Sequence, residues 1–191
     1  MFGLNGKKNG SAVFRTFAAC LALVACFLAF RRMYPLEHAA LIEKYSKEYS
    51  ISPAFVCAVI KAESGFRKNA SSHKGAGGLM QITEPTAVWL ADKIGIDGFE
   101  YEMIYDPETN INIGCYYIRL LFDKYHGDES LTLAAYNAGE GTVARWLSDP
   151  RYSADGETLY AVPFKETRNY LRRVRFNAKI YRVVWKIYSG L

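Results

Sequence analysis

Metal-ligating side chains are scarce in this chain and do not cluster. Its three histidines, His38, His73 and His126, are scattered, and two of its four cysteines, Cys20 and Cys26, fall in one apolar run. No spacing matches a metal-ligand set, so neither a metal nor another cofactor is expected. Cys57 and Cys115 sit in apolar helical patterns and read as small buried hydrophobes; a domain of this length does not need a bridge. No alternating apolar–polar run of useful length occurs, nor any internal repeat, which leaves a predominantly α fold. The Gly-rich stretch after residue 74 lacks a Gly-Lys-Ser/Thr ending and a preceding strand, so a phosphate-cradling loop is discounted.

Acidic residues are absent from residues 1–34, where Lys7, Lys8, Arg15, Arg31 and Arg32 supply the whole net charge of +5. Residues 35–163 hold 11 basic and 18 acidic groups, and residues 164–191 hold 8 and 1. A nucleic-acid binder carries a basic excess across its folded body. This chain confines the excess to its two ends, and no nucleic-acid partner is expected.

What the chain does have is a hydrophobic run, "FAACLALVACFLAF" (residues 17–30), with basic residues on both sides. Extended through Thr16 and with Arg15 snorkelling, it approaches the ~20 residues of a spanning helix. No small-x-small cleavage site follows it, so an uncleaved membrane anchor is expected over a removed signal peptide. "LVAC", ending at Cys26, resembles a lipobox, but "FLAF" follows where a processed lipoprotein turns polar. Each alternative exports the domain. The expected division is residues 1–34 as anchor or signal segment and residues 35–191 as one folded domain. Half the residues are apolar, enough for that domain to bury a core.

Helix signals run along residues 35–191. "YPLEHAALIEKYSKEYS" has helical spacing, Ser52-Pro53 and Asp106-Pro107 are start signals, and Pro85 opens a helix after the "GAGGLMQ" loop. Gly127 and Gly139 are stops. Leu171, Val174, Ala178, Tyr181, Trp185 and Tyr188 step by three and four, so the C-terminal segment is one long amphipathic helix expected to dock on a core.

On the helix starting at Ser52, Val56, Val59 and Ile60 mark a buried face that continues to Glu63. A carboxyl there is partly desolvated, which raises its pKa. The following residues, 64–83, contain no Asp or Glu but offer Ser72, glycine-freed backbone amides and Gln81. A protonated Glu beside a neutral polar cleft suits protonation of a glycosidic oxygen. Taken alone, Glu63 reads better as a helix-terminal acid turned to solvent or satisfied by a nearby Arg, and only its context reverses that.

Four ordered blocks add to this: "ES" with "S..GAGGLMQI", then "NINIG", "AAYNAG" and "VPFKETRNYL", across roughly residues 38–175. Together they resemble the soluble-type lytic transglycosylases, relatives of goose-type lysozyme. The resemblance implies a mainly α, lysozyme-like domain that cleaves the β-1,4 bond between N-acetylmuramic acid and N-acetylglucosamine in peptidoglycan. It also implies roles for single residues. Glu63 would be the catalytic acid; Ser72, Met80 and Gln81 would line the sugar sites; Tyr136 and Asn137 would stand beside the acid; Glu166 and Tyr170 would close the cleft from the C-terminal helix. Where many members read "GLMQIMP", this chain reads "GLMQITE", so a second methionine contact is missing. The family route has Glu63 act first as acid and then as base, with the muramic C6 hydroxyl attacking C1. A hydrolytic muramidase and a non-catalytic wall-binding module are the competing readings.

Overall fold

The computed structural model describes residues 6–190 and separates into two compact units, meeting between Pro35 and Leu36. The first unit is helix α1 (Gly6–Met33), within which Val13–Met33 is long and apolar enough to cross a membrane. Every side chain from Val13 to Met33 is exposed.

The second unit is mainly helical: α2 (Ala39–Glu48), α3 (Pro53–Glu63), α4 (Glu84–Lys93), α5 (Pro107–Lys124), α6 (Glu129–Ala138), α7 (Glu140–Leu147) and α8 (Lys165–Ser189). The start of α2 is later than the sequence pattern predicts. Pro35 precedes it, and His38 adopts a left-handed backbone (φ 60°) that breaks any helix begun at Tyr34. The α2 side chains then dock on α5, where the Tyr45 hydroxyl donates to Glu108 at 2.9 Å and the Tyr49 hydroxyl to Asn112 at 2.6 Å.

Helix α3 is the centre of the core. Pro53 occupies its first turn as expected, but the Ser52 side chain makes no capping bond. Burial is not confined to one face: every residue from Ala54 to Ile60 is buried. Val56, Val59 and Ile60 each contribute about 1.5–3 kcal/mol through removal of apolar surface from water. Packing on all sides fixes the helix axis, and therefore the position of Glu63 in its last turn. Helix α8 lies along α3 and contributes buried Tyr170, Leu171, Val174 and Tyr181.

Local chemistry sets the other helix boundaries. Asp106 accepts from the Thr109 amide at 2.9 Å, Asp128 from the Leu131 amide at 2.9 Å, and Gly139 ends α6 at φ 86°. The stretch read as a loop contains one small antiparallel hairpin, β1 (Ala76–Gly77) with β2 (Ile82–Thr83), pairing Ala76 with Thr83 and Gly77 with Ile82. Two-residue strands are too short to leave an alternating pattern in sequence. Cys57 and Cys115 are buried free thiols. Burial pushes the Cys57 thiol up to about 12 and raises Cys115 as well, which keeps both protonated and inert.

Candidate active site

Glu63 ends α3 where the helix emerges from the core, and it stays partly exposed at the surface. Burial of its carboxyl disfavours the charged form and lifts its pKa from the ordinary 4.5 to about 7. Two smaller influences oppose this, the Tyr170 hydroxyl first and the more distant charge of Arg173 second. The carboxyl is thus poised to hold or release a proton near neutrality. No acidic side chain contributes to its shift.

Two phenols flank it in different states. The Tyr136 hydroxyl donates to the backbone carbonyl of Met80 at 2.8 Å, so its proton is already committed. Its lone pairs are what it presents to its surroundings, and both burial and the nearby Glu63 raise its pKa far above the ordinary value. The Tyr170 hydroxyl approaches Glu63 closely enough to lower the carboxyl pKa, yet falls short of a well-formed hydrogen bond and has no other partner. Tyr170 therefore keeps a proton to donate to the carboxylate, and burial with the Glu63 charge holds that phenol neutral.

The loop after Glu63 is held in place by a residue that sequence reasoning did not assign. Asn110 on α5 is fully buried; its carbonyl oxygen accepts from the Met80 amide at 2.8 Å and its amide donates to Ile104 at 2.8 Å and Gly77 at 3.2 Å. Gly78 passes over that amide at φ 80°, and a Cβ there would come within 2.0 Å of the Asn110 side-chain nitrogen. The "NINIG" block marks this position, but its bonds to residues some thirty positions away are invisible to local pattern. Tyr117 was also missed: its ring packs on Tyr136 at 5.3 Å between centroids.

The side chains anticipated from sequence have distinct placements. Ser72 accepts from the amides of Lys74 and Ala76 at 3.2 and 3.1 Å, which shapes the turn and leaves its own proton uncommitted among the described residues. Gln81 sits at φ 49° and donates to the carbonyls of Ala70 and Gly78 at 3.0 and 2.9 Å, leaving its amide oxygen as the group on offer. Met80 is fully buried against Gly114 of α5, so its side chain belongs to the core and only its carbonyl enters the site, under Tyr136. Asn137 is partly exposed beside Tyr136, and its side chain makes no hydrogen bond among the described residues. Glu166 is exposed in the first turn of α8, 4.0 Å from Lys74 of the loop.

These contacts close a ring. Glu63 faces Tyr136, which holds Met80; Met80 leads through the hairpin loop to Lys74; Lys74 meets Glu166; and one turn along α8 lies Tyr170, which returns to Glu63. Two hollows of about 300 and 350 Å³ lie elsewhere, one lined by Phe55, Phe122 and Ala178 and one by Trp89, Tyr116 and Leu120. Neither is lined by Glu63. Glu140 pairs with Lys124 at 2.5 Å, and Glu166 lies 4.0 Å from Lys74 with both side chains exposed.

Comparison with known proteins gives this geometry its relatives. The family model described as Transglycosylase SLT domain matches residues 40–159. The chain is 33% identical over 151 residues to the soluble lytic murein transglycosylase of Escherichia coli, covering 78% of this chain and 23% of that protein. It is 30% identical over 159 residues to the membrane-bound lytic murein transglycosylase C of Actinobacillus pleuropneumoniae, covering 72% and 44%. Among solved structures, the 70 kDa soluble lytic transglycosylase of Escherichia coli superposes with a TM-score of 0.70 at 31% identity, over 80% of this chain and 25% of that one. An inactive Glu-to-Gln mutant of lytic transglycosylase Slt from Pseudomonas aeruginosa matches with a TM-score of 0.68 at 32% identity, over 78% and 24%. This chain therefore spans about a quarter of the length of its soluble relatives and under half that of the membrane-bound one. The mainly α, lysozyme-like fold implied by the sequence blocks is the fold found, and the chain belongs to the transglycosylase SLT domain family.

Proposed function

We propose that this protein is a membrane-anchored lytic transglycosylase that cleaves the MurNAc–GlcNAc bond of peptidoglycan, with Glu63 as its acid and then its base. The observation that carries the reading is the Glu63 carboxyl, raised to about 7 by burial and flanked by two neutral phenols. Protonated Glu63 gives its proton to the glycosidic oxygen as the C1–O4 bond breaks. The resulting carboxylate, with Tyr170 as a ready donor, then takes the proton from the muramic C6 hydroxyl while O6 bonds to C1. No water is consumed and the product is a 1,6-anhydro sugar. An internal nucleophile gains from high effective concentration.

Hydrolysis by the retaining route places a second carboxylate about 5 Å from the acid. No carboxylate acts on Glu63 here, and Glu140 and Glu166 pair with lysines, which favours the internal nucleophile. That the Pseudomonas relative is an inactive Glu-to-Gln mutant also supports dependence on one glutamate. In this reading the hydroxyl of Ser72, the Gln81 amide oxygen and the polar tip of Asn137 are sugar contacts, and Glu166 and Tyr170 bound the groove on its α8 side. Val13–Met33 would hold the domain at the outer face of a cell membrane, as fits its apolar length and the name of the membrane-bound relative.

Mass spectrometry of fragments released from purified peptidoglycan tests the assignment. Anhydro-muramic products are expected, lighter by one water than hydrolytic ones, and Glu63→Gln is expected to lower the rate by at least about 10³-fold. Reducing-end products would make the enzyme a muramidase. Turnover by the Gln variant near the wild-type rate would remove Glu63 from the chemistry.

A further inference from the structure

Helix α8 carries two opposed apolar faces, and the core uses one. Leu171, Val174 and Tyr181 are buried, but beyond Tyr181 no residue of the helix is. On the other side, Phe176, Val183 and Ile187 are 61%, 60% and 76% exposed, with Ile180 partly exposed between them. At 3.6 residues per turn, these four fall within an arc of about 60°, roughly opposite the buried face. Arg172, Lys179 and Lys186 line one flank of that stripe. None of these three cations makes a hydrogen bond or ion pair among the described residues, and no acid occurs after Glu166.

We propose that this outer face of α8 is a second membrane contact, lying flat on an anionic phospholipid surface with Phe176, Ile180, Val183 and Ile187 in the headgroup–acyl boundary. An apolar stripe bordered by unpaired cations suits such a boundary, since each lysine or arginine meets lipid phosphate while the stripe leaves water. A second copy of the chain is disfavoured, because apposing two such faces would bring like charges together without counter-charge. A hydrated anionic polymer would satisfy the cations but leave the apolar stripe in water. The inference rests on the membrane reading of Val13–Met33 only for the nearness of a bilayer, and it is independent of the role given to Glu63.

Hydrogen exchange of the full chain in lipid nanodiscs tests it, with phosphatidylcholine alone or with about a third phosphatidylglycerol. The last turns of α8 extend past the core and should exchange quickly in neutral discs. In anionic discs, exchange over residues 176–190 is expected to slow on the order of tenfold. The exposed-site variant V183D/I187D is expected to lose that slowing while keeping wild-type cleavage of glycan strands. Equal exchange in both lipids overturns the proposal. So does protection that grows with protein concentration, or protection produced by soluble polyphosphate without lipid. The same exchange map reads residues 13–33, so a failed anchor is seen separately from a failed α8 contact.

Discussion

A single proton at Glu63 links the chemistry to the stability of the fold. The carboxyl ionises at an ordinary value of 4.5 in the unfolded chain and at about 7 in the folded one. The folded state therefore binds this proton more tightly, and its contribution to stability is complete below the unfolded value and lost as pH rises through about 7. At 1.36 kcal/mol per unit the ceiling is about 3 kcal/mol, and partial exposure of the group reduces it to roughly 2 kcal/mol. Glu63→Gln, which cannot ionise, is expected to be more stable than wild type by about that amount in urea titrations at about pH 8, with the gap closing toward about pH 4. An equal offset at both pH values would mean that the carboxyl is not desolvated. Under the proposed role of Glu63, cleavage should fall on the alkaline side of about 7, where the acid form is lost.

At the level of elements, the site depends on how the hairpin loop is fastened to α5. Gly78→Ala is expected to cost about 3 kcal/mol, because a left-handed alanine and a Cβ driven into Asn110 add together. Gly75 has a similar φ of 75° but open space around a Cβ, so Gly75→Ala isolates the backbone cost at about 1 kcal/mol. Thermal unfolding of the two variants measures the difference, and equal losses would show that Asn110 does not fasten the loop. This junction also separates what the sequence discloses from what it hides. Helix starts at Asp106-Pro107 and Ser52-Pro53 and the stripe along α8 are local signals, legible because each depends on neighbours within a turn or two. Glu63 was legible because a carboxyl on an apolar helix conflicts with its own pattern. The inward turn of Met80, the bonds from Asn110 to Met80 and Gly77 and the tilted packing of Tyr117 on Tyr136 are long-range, and no short window of sequence contains both partners. The α8 stripe carried a further ambiguity, since apolar spacing predicts burial and Trp185 and Tyr188 nonetheless extend past the core.

Across the whole molecule, charge and burial are segregated along the chain. Acid-free residues 1–34 and the basic α8 enclose a stretch with 11 basic and 18 acidic groups, so positive charge gathers where membrane contact is proposed. Burial divides the same way, for among the described residues each buried hydrophobic side chain lies at Ala39 or beyond. Removing residues 1–35 should therefore leave the core and the ring around Glu63 whole. A chain of residues 36–191 is expected to unfold cooperatively, with stability within about 0.5 kcal/mol of the full chain in the same detergent. It should also cleave isolated glycan strands at the full-chain rate, since soluble substrate gains nothing from an anchor. On intact sacculi the anchor confers proximity rather than chemistry, so the full chain should win only when both are held at a membrane. A truncated domain that melts early or loses activity on isolated strands would show that α1 supports the fold itself, and the division near Pro35 would then mark a change in burial without marking a boundary of folding.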